Sequence, residues 1–194
     1  PMLYNAVNNM VDELVTYDFI WSKGFAMKLA RLLDKTIPFT GDYVTAVSDS
    51  LKDYLVKLGV KKEKIQVLPA GVNPGMFETN DKSTLRQKYG YGDDDNIVIY
   101  TGSLDAFQRI DYLLEATAVI KPKFDNLRLI LAANIVNPKD LETIKTKIAE
   151  LDIGDITDIV EGLKLEKLPD YLALADVATL PRTDCPGHPV KILN

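Results

Sequence analysis

Ile97-Val98-Ile99-Tyr100-Thr101-Gly102-Ser103-Leu104-Asp105-Ala106-Phe107-Gln108-Arg109-Ile110-Asp111-Tyr112-Leu113-Leu114-Glu115-Ala116 reads as a strand, a glycine turn and a helix, in that order. Residues 97–100 are all β-branched or aromatic, the pattern of a strand buried on both faces inside a parallel sheet. Beyond the turn, Ile110, Leu113, Leu114 and Thr117-Ala118 recur at helical spacing, so one stripe of the helix packs back onto the sheet. That is half of a strand-helix-strand unit.

A loop between the carboxyl end of a parallel strand and the next helix is where open α/β sheets hold ligands. Gly102 permits close backbone approach, and free amides at the helix start favour an anion such as phosphate. The plainer reading is a glycine that serves the turn alone.

Downstream, Leu127–Ala132, Ile156–Val160 and Val177–Leu180 read as further strands. Asn137-Pro138-Lys139-Asp140 opens a helix whose buried stripe is Leu141, Ile144, Ile148 and Leu151. Leu168-Pro169 starts a short helix. This alternation predicts an α/β fold: a Rossmann-like parallel sheet with helices on both faces.

Upstream, Tyr43–Val47 and Ile65–Leu68 read as strands flanking a helix capped by Ser48 and closed by Gly59. Lys61, Lys62 and Lys64 make the turn, either a solvated connector or a contact for an anionic membrane surface. Pro69 to Gly75 holds two prolines and two glycines and is the best interdomain crossing, followed by a helix from Ser83 to Tyr89. Residues 1–36 carry two helical patterns, one with Tyr4, Val7, Val11, Leu14 and Val15 on a face, the other with Phe25, Leu29, Leu32 and Leu33. Neither has an evident partner, so this region is expected to pack loosely. The chain opens and closes inside apparent helices and reads as a fragment of a longer protein.

The 194 residues can bury about 70% of their unfolded surface, enough for a core without staples. Hydrophobic residues at 46% and charged residues at 26% are ordinary for a globular chain, and no apolar run approaches a bilayer span. A net charge of −5 argues against a nucleic-acid partner. The single Cys185 allows no intramolecular disulfide and fits a reducing, cytoplasmic setting. With one His and one Cys, no zinc site can be built from those ligands. Asp93, Asp94 and Asp95 could chelate a divalent metal but read better as a polar turn. No Gly-x-Gly-x-x-Gly fingerprint and no phosphate-loop Gly-Lys-Ser/Thr occurs.

Right-handed crossovers put four strand ends on one edge of the sheet: Thr101-Gly102-Ser103, Ala133-Asn134, Glu161-Gly162 and Pro181-Arg182-Thr183. A site belongs there. In the last connection, Gly187 offers backbone amides before a helix with Pro189 in its first turn, and Lys191 adds charge. Cys185 and His188 could form a thiol-imidazole pair, but spacing alone does not bring them together.

Asp42-Tyr43-Val44-Thr45-Ala46-Val47-Ser48, Ile65 to Asn73 with Phe77, Tyr100 to Leu104 with Ile110 to Ala116, Leu168-Pro169-Asp170-Tyr171 with Ala175-Asp176-Val177, and Gly187 to Asn194 occur in one order. Together they resemble the retaining glycosyltransferases of family four. The resemblance covers residues 42–194. It implies the GT-B architecture, with residues 1–73 the end of an amino-terminal acceptor lobe plus the crossing, and 74–194 a carboxyl-terminal donor lobe truncated at its end.

The function it implies is transfer of a sugar, with retention, from a nucleoside diphosphate sugar to a hydroxyl acceptor, glycan or lipid-linked, held on the missing lobe. The fragment alone is expected to be inactive. No cofactor or required metal is implied, and the longer protein would be cytoplasmic or membrane-peripheral. The donor-binding residues are expected to be Gly102, Ser103, Arg109, Glu161, Gly162, Arg182, Gly187, His188, Lys191 and Asn194; no catalytic residue is assigned. The chain also departs from the family. Ser103 stands where many members carry Arg, Gln108 where they carry Lys, and Arg109 where they carry Gly. Pro186 and Asn194 replace two glutamates. The alternative is a non-catalytic nucleotide- or sugar-binding module of the same fold.

Overall fold

The computed structural model describes residues 1–14, 22–69, 71, 73–78, 81–134 and 136–182. They divide into two compact units, the second beginning at Asn73.

In the first unit, β1 (Leu3–Ala6), β2 (Tyr43–Ala46) and β3 (Ile65–Val67) form a parallel sheet in the order β1-β2-β3. Helices α1 (Met10–Glu13) and α2 (Lys23–Thr36) follow β1, and α3 (Asp49–Lys57) joins β2 to β3. Ser48 caps α3 by accepting the Leu51 amide at 3.1 Å. Gly59, at φ 103°, takes the left-handed conformation that ends the helix.

Two expectations for residues 1–36 are corrected here. The segment holding Tyr4 is a strand, with Leu3 opposite Tyr43 and Ala6 opposite Ala46. Its apolar residues fit either period, and pairing with β2, which satisfies the backbone, decides the matter. Packing is also not loose. The buried Asp34 carboxylate accepts the Met10 amide at 2.9 Å, the Val11 amide at 3.3 Å and the Tyr54 hydroxyl at 2.8 Å, tying α1, α2 and α3 together. Helix α2 accordingly buries Ala26, Ala30 and Asp34, while Phe25 is 62% and Leu32 57% exposed. Small residues let the helix approach closely, so its buried stripe is not its bulkiest one. Val15 lies outside the described residues.

The second unit opens with α4 (Lys82–Tyr89), capped by Asp81 and ended by Gly90 in the left-handed region. The Asp95 carboxylate then accepts the Gly92 amide at 2.7 Å and faces Arg128 at 3.7 Å, so the acidic run closes a turn. Four strands follow: β4 (Asn96–Thr101), β5 (Leu127–Ala132), β6 (Thr157–Val160) and β7 (Val177–Thr179). All pair in parallel, in the order β6-β5-β4-β7. They are connected by α5 (Ile110–Ile120), α6 (Pro138–Glu150) and α7 (Leu168–Leu174).

Side chains alternate along the central strands and sort into two cores. Tyr100, Leu129 and Leu131 point to the face covered by α5 and α6, packing on Leu113, Leu114, Ile144 and Ile148. Ile97, Ile99, Ile130 and Ala132 point to the other face, onto Leu85 of α4 and Leu174 of α7. This explains the apolar runs of β4 and β5: both faces are covered. Right-handed crossovers demand the same arrangement, since β4 to β5 to β6 steps one way across the sheet and β7 lies on the far side of β4.

Candidate functional site

The reversal of direction at β4 creates a topological switch point between β4 and β7. The connection leaving β4 turns to one face, whereas α7, which leads into β7, lies on the other. In open α/β sheets a switch point of this kind is where ligands bind, in a crevice outside the carboxyl ends of the strands. The residues bordering it are Gly102 and Ser103 after β4 and Leu180 to Arg182 after β7. Thr179 Oγ1 donates to the Ile99 carbonyl at 3.0 Å, closing the strands up to its edge. The sequence does not settle on which side of β4 the last strand inserts; hydrogen-bonded pairing does.

The loop after β4 is held from both sides. Gly102, at φ 145°, donates its amide to the Ala132 carbonyl at 3.0 Å. Tyr100 and Gln108, neither of them among the expected donor-binding residues, then fix Ser103. The Tyr100 hydroxyl donates to the Ser103 carbonyl at 2.6 Å, and Gln108, only 7% exposed, donates its side-chain amide to Ser103 Oγ at 3.4 Å. Burial, with Asp105 adding to it, raises the Tyr100 phenol above its ordinary range while Arg182 pulls the other way, so the hydroxyl stays a neutral donor. A buried tyrosine near the end of a strand covered on both faces needs a partner for its hydroxyl, and that was the available sequence signal.

Arg109 is not a free surface arginine. Its backbone is left-handed, φ 57° and ψ 42°, the conformation a glycine would take without cost. Its guanidinium grips Asp111 through two bonds, Nε to Oδ1 at 3.0 Å and Nη2 to Oδ2 at 2.8 Å. It also stacks 3.4 Å from the Tyr112 ring centroid. These hydrogen bonds raise the Arg109 pKa further and lower that of Asp111, so both stay charged and engaged with each other.

Glu161 and Gly162 follow β6, on the same edge but two strands from β4, about 10 Å at ordinary strand spacing. Glu161 faces Lys145 of α6 at 3.9 Å. The structure thus brings Gly102, Ser103 and Arg182 to the crevice, turns Arg109 onto its own helix and sets Glu161-Gly162 apart. Gly187, His188, Lys191 and Asn194, with Cys185 and Pro186, lie outside the described residues. Among the described residues, no cluster of His, Cys, Asp or Glu could hold a metal ion.

Residues 81–193 match the family described as Glycosyl transferases group 1, more than half of the sequence. The chain belongs to that family. As a group 1 glycosyl transferase chain, it has curated relatives that include the D-inositol 3-phosphate glycosyltransferase of Geodermatophilus obscurus, 25% identical over 147 residues covering 71% of this chain and 32% of that protein. The MMP alpha-(1->4)-mannosyltransferase of Mycolicibacterium hassiacum is 30% identical over 157 residues, covering 80% of this chain and 34% of its own. The chain therefore spans about a third of the length of these relatives. Among solved structures, the sucrose-phosphate synthase of Thermosynechococcus elongatus superposes with a TM-score of 0.78 at 23% identity, over 98% of this chain and 46% of that one. Anabaena HepE, solved in complex with UDP-glucose, gives 0.69 at 18% identity over 92% and 46%. The fold is the Rossmann-like, GT-B-type architecture expected from the sequence.

Proposed function

We propose that this chain carries the donor-binding part of a retaining glycosyltransferase, which moves a sugar from a nucleoside diphosphate sugar to a hydroxyl acceptor. The observation that carries the reading is the switch-point crevice between β4 and β7, bordered by Gly102, Ser103 and Arg182 in a chain of the group 1 family. In the reaction, the bond from the anomeric carbon to the diphosphate oxygen breaks and a bond to the acceptor oxygen forms. The acceptor's proton leaves with the phosphate. Charge develops on the departing diphosphate, so amides and cations aimed at it supply much of the rate.

Here the amides near Gly102 and Gly187 and the cations Arg182 and Lys191 would take that role, with Asn194 near the ribose and no required metal. The acceptor, glycan or lipid-linked, would bind the other lobe of the longer protein. The exposed Lys61, Lys62 and Lys64 would favour contact with an anionic membrane surface.

A second reading, a binding module without transfer, draws on one observation. Ser103 and Gln108 form an uncharged pair and Arg109 is committed to Asp111, so the β4–α5 loop offers little positive charge to a diphosphate. Incubating the longer natural protein with labelled UDP-, GDP- and ADP-sugars and a hydroxyl acceptor separates the two. Transfer with the donor's anomeric configuration kept supports the first; saturable binding without transfer supports the second. No binding of any nucleotide defeats both.

A further inference from the structure

The backbone leaving β4 has one amide already spent and one held ready. The Gly102 N–H is taken by the Ala132 carbonyl at 3.0 Å, so it is not the amide that a diphosphate would meet. The Ser103 carbonyl accepts the Tyr100 hydroxyl at 2.6 Å. Tyr100 is fully buried in the core that also holds Leu113, Leu114 and Ile144, so this bond ties the loop to the rigid part of the unit.

A trans peptide is planar, with its carbonyl and its N–H pointing in opposite directions, and among the described residues no peptide bond is cis. A Ser103 carbonyl held onto the phenol therefore turns the Leu104 N–H the other way. Leu104 is only 3% exposed, and among the described residues its N–H has no hydrogen-bond partner. Buried backbone donors are almost always paired, so an N–H held in this state calls for an acceptor that the described residues do not supply. The phenol also senses Arg182, on the far border of the crevice, as well as Asp105, which places this lock where the loops after β4 and β7 meet.

We propose that the Leu104 amide is a hydrogen-bond donor to the diphosphate of the nucleotide sugar, and that Tyr100 is the positioning residue that aims it. The assignment rests on the donor-site reading above and names a neutral contact in a loop that carries Ser103 and Gln108 where family members carry Arg and Lys. An amide fixed before the donor binds needs no reorganisation as charge develops on the departing phosphate.

The test follows the binding of uridine, guanosine and adenosine diphosphates to the longer natural protein by calorimetry. Replacing Leu104 with its α-hydroxy acid turns the Ser103–Leu104 amide into an ester, which deletes the N–H and keeps the side chain. The diphosphate that binds should lose about tenfold or more in affinity, the factor for a charge-assisted hydrogen bond. Tyr100→Phe keeps the ring and releases the Ser103 carbonyl. It should weaken the same diphosphate several-fold in the all-amide protein, yet by less than about twofold in the ester protein, because the phenol acts through that one N–H. A general loosening of the fold would weaken both backgrounds alike. Full affinity in the ester protein, or equal weakening by Tyr100→Phe in both backgrounds, would overturn the proposal and leave the donor reading standing. Binding of none of the three diphosphates to the unaltered protein would defeat that reading and the proposal with it.

Discussion

Gln108 and Ser103 form a neutral hydrogen-bonded pair, Nε2 to Oγ at 3.4 Å, at the mouth of the crevice between β4 and β7. A cation at either place would add a phosphate partner; the pair as it stands adds a donor and an acceptor of no net charge. Ser103→Arg, in the longer natural protein, should therefore raise uridine diphosphate affinity by about 1 to 3 kcal/mol, the range of a charge-assisted hydrogen bond. Calorimetric titration at two salt concentrations checks this, since an added phosphate contact also steepens the salt dependence. An unchanged affinity would place the diphosphate away from this loop.

Arg109 in its left-handed conformation gives a second test. Arg109→Gly removes backbone strain of about 1 kcal/mol and also removes a partly exposed ion pair and stack of similar size, so stability should change by less than about 1 kcal/mol. Arg109→Ala loses the contacts and keeps the strain. It should cost about 1 to 2 kcal/mol in urea unfolding. Equal effects from both variants would show that strain at this position is negligible.

Asp176 anchors the opposite edge of the sheet. Its carboxylate meets Arg86 at 2.7 Å, Lys82 at 2.5 Å and the Ile97 amide at 2.8 Å, while Arg86 Nε also donates to the Leu174 carbonyl at 3.1 Å. Arg86 is almost wholly buried and Lys82 is not. Asp176→Ala strands a buried guanidinium and should cost about 3 kcal/mol, whereas Lys82→Ala should cost less than about 1 kcal/mol. Burial raises the Asp176 pKa, but the Ile97 amide and the two cations more than offset it, so the folded value lies below the ordinary 3.8. The carboxylate's contribution is then complete above that value and is lost as pH falls through the folded pKa. Acid unfolding should begin at higher pH in Arg86→Met.

The core tests the fold reading. Leu114 is fully buried between α5 and the sheet, and Leu114→Ala should cost roughly 2 to 5 kcal/mol. A loss under 1 kcal/mol would mean that α5 does not cover that face.

The sequence made the second unit legible because its strands are apolar on both faces and its helices carry clear stripes and caps, as at Asn137 and Pro138. Residues 1–36 were harder for a physical reason. Tyr4 lies in a four-residue strand too short to declare a period, and α2 buries Ala26 and Ala30 rather than Phe25 and Leu32. At the site, Gly102 and Arg182 follow strands and could be placed from order alone. The lock on Ser103 by Tyr100 and Gln108, and the capture of Arg109 by Asp111, depend on loop conformation that spacing does not encode.

Lys191 lies outside the described residues, and its proposed contact with the diphosphate rests on the sequence around Gly187 and Pro189 and on the family resemblance. Lys191→Met in the longer protein should weaken diphosphate binding by roughly 1 to 3 kcal/mol, while Arg109→Met should leave it nearly unchanged. The reverse order of effects, measured by titration calorimetry, would move the phosphate site onto the start of α5.

The most direct measurement is a titration of this chain with uridine, guanosine and adenosine diphosphates, following backbone amide resonances. One of the three should shift the amides of Gly102, Ser103 and Arg182 together and saturably, because they border the crevice between β4 and β7. Shifts confined to the end of β6, or to the Asp176 edge of the sheet, would contradict that placement of the donor, and so would the absence of any shift with all three nucleotides.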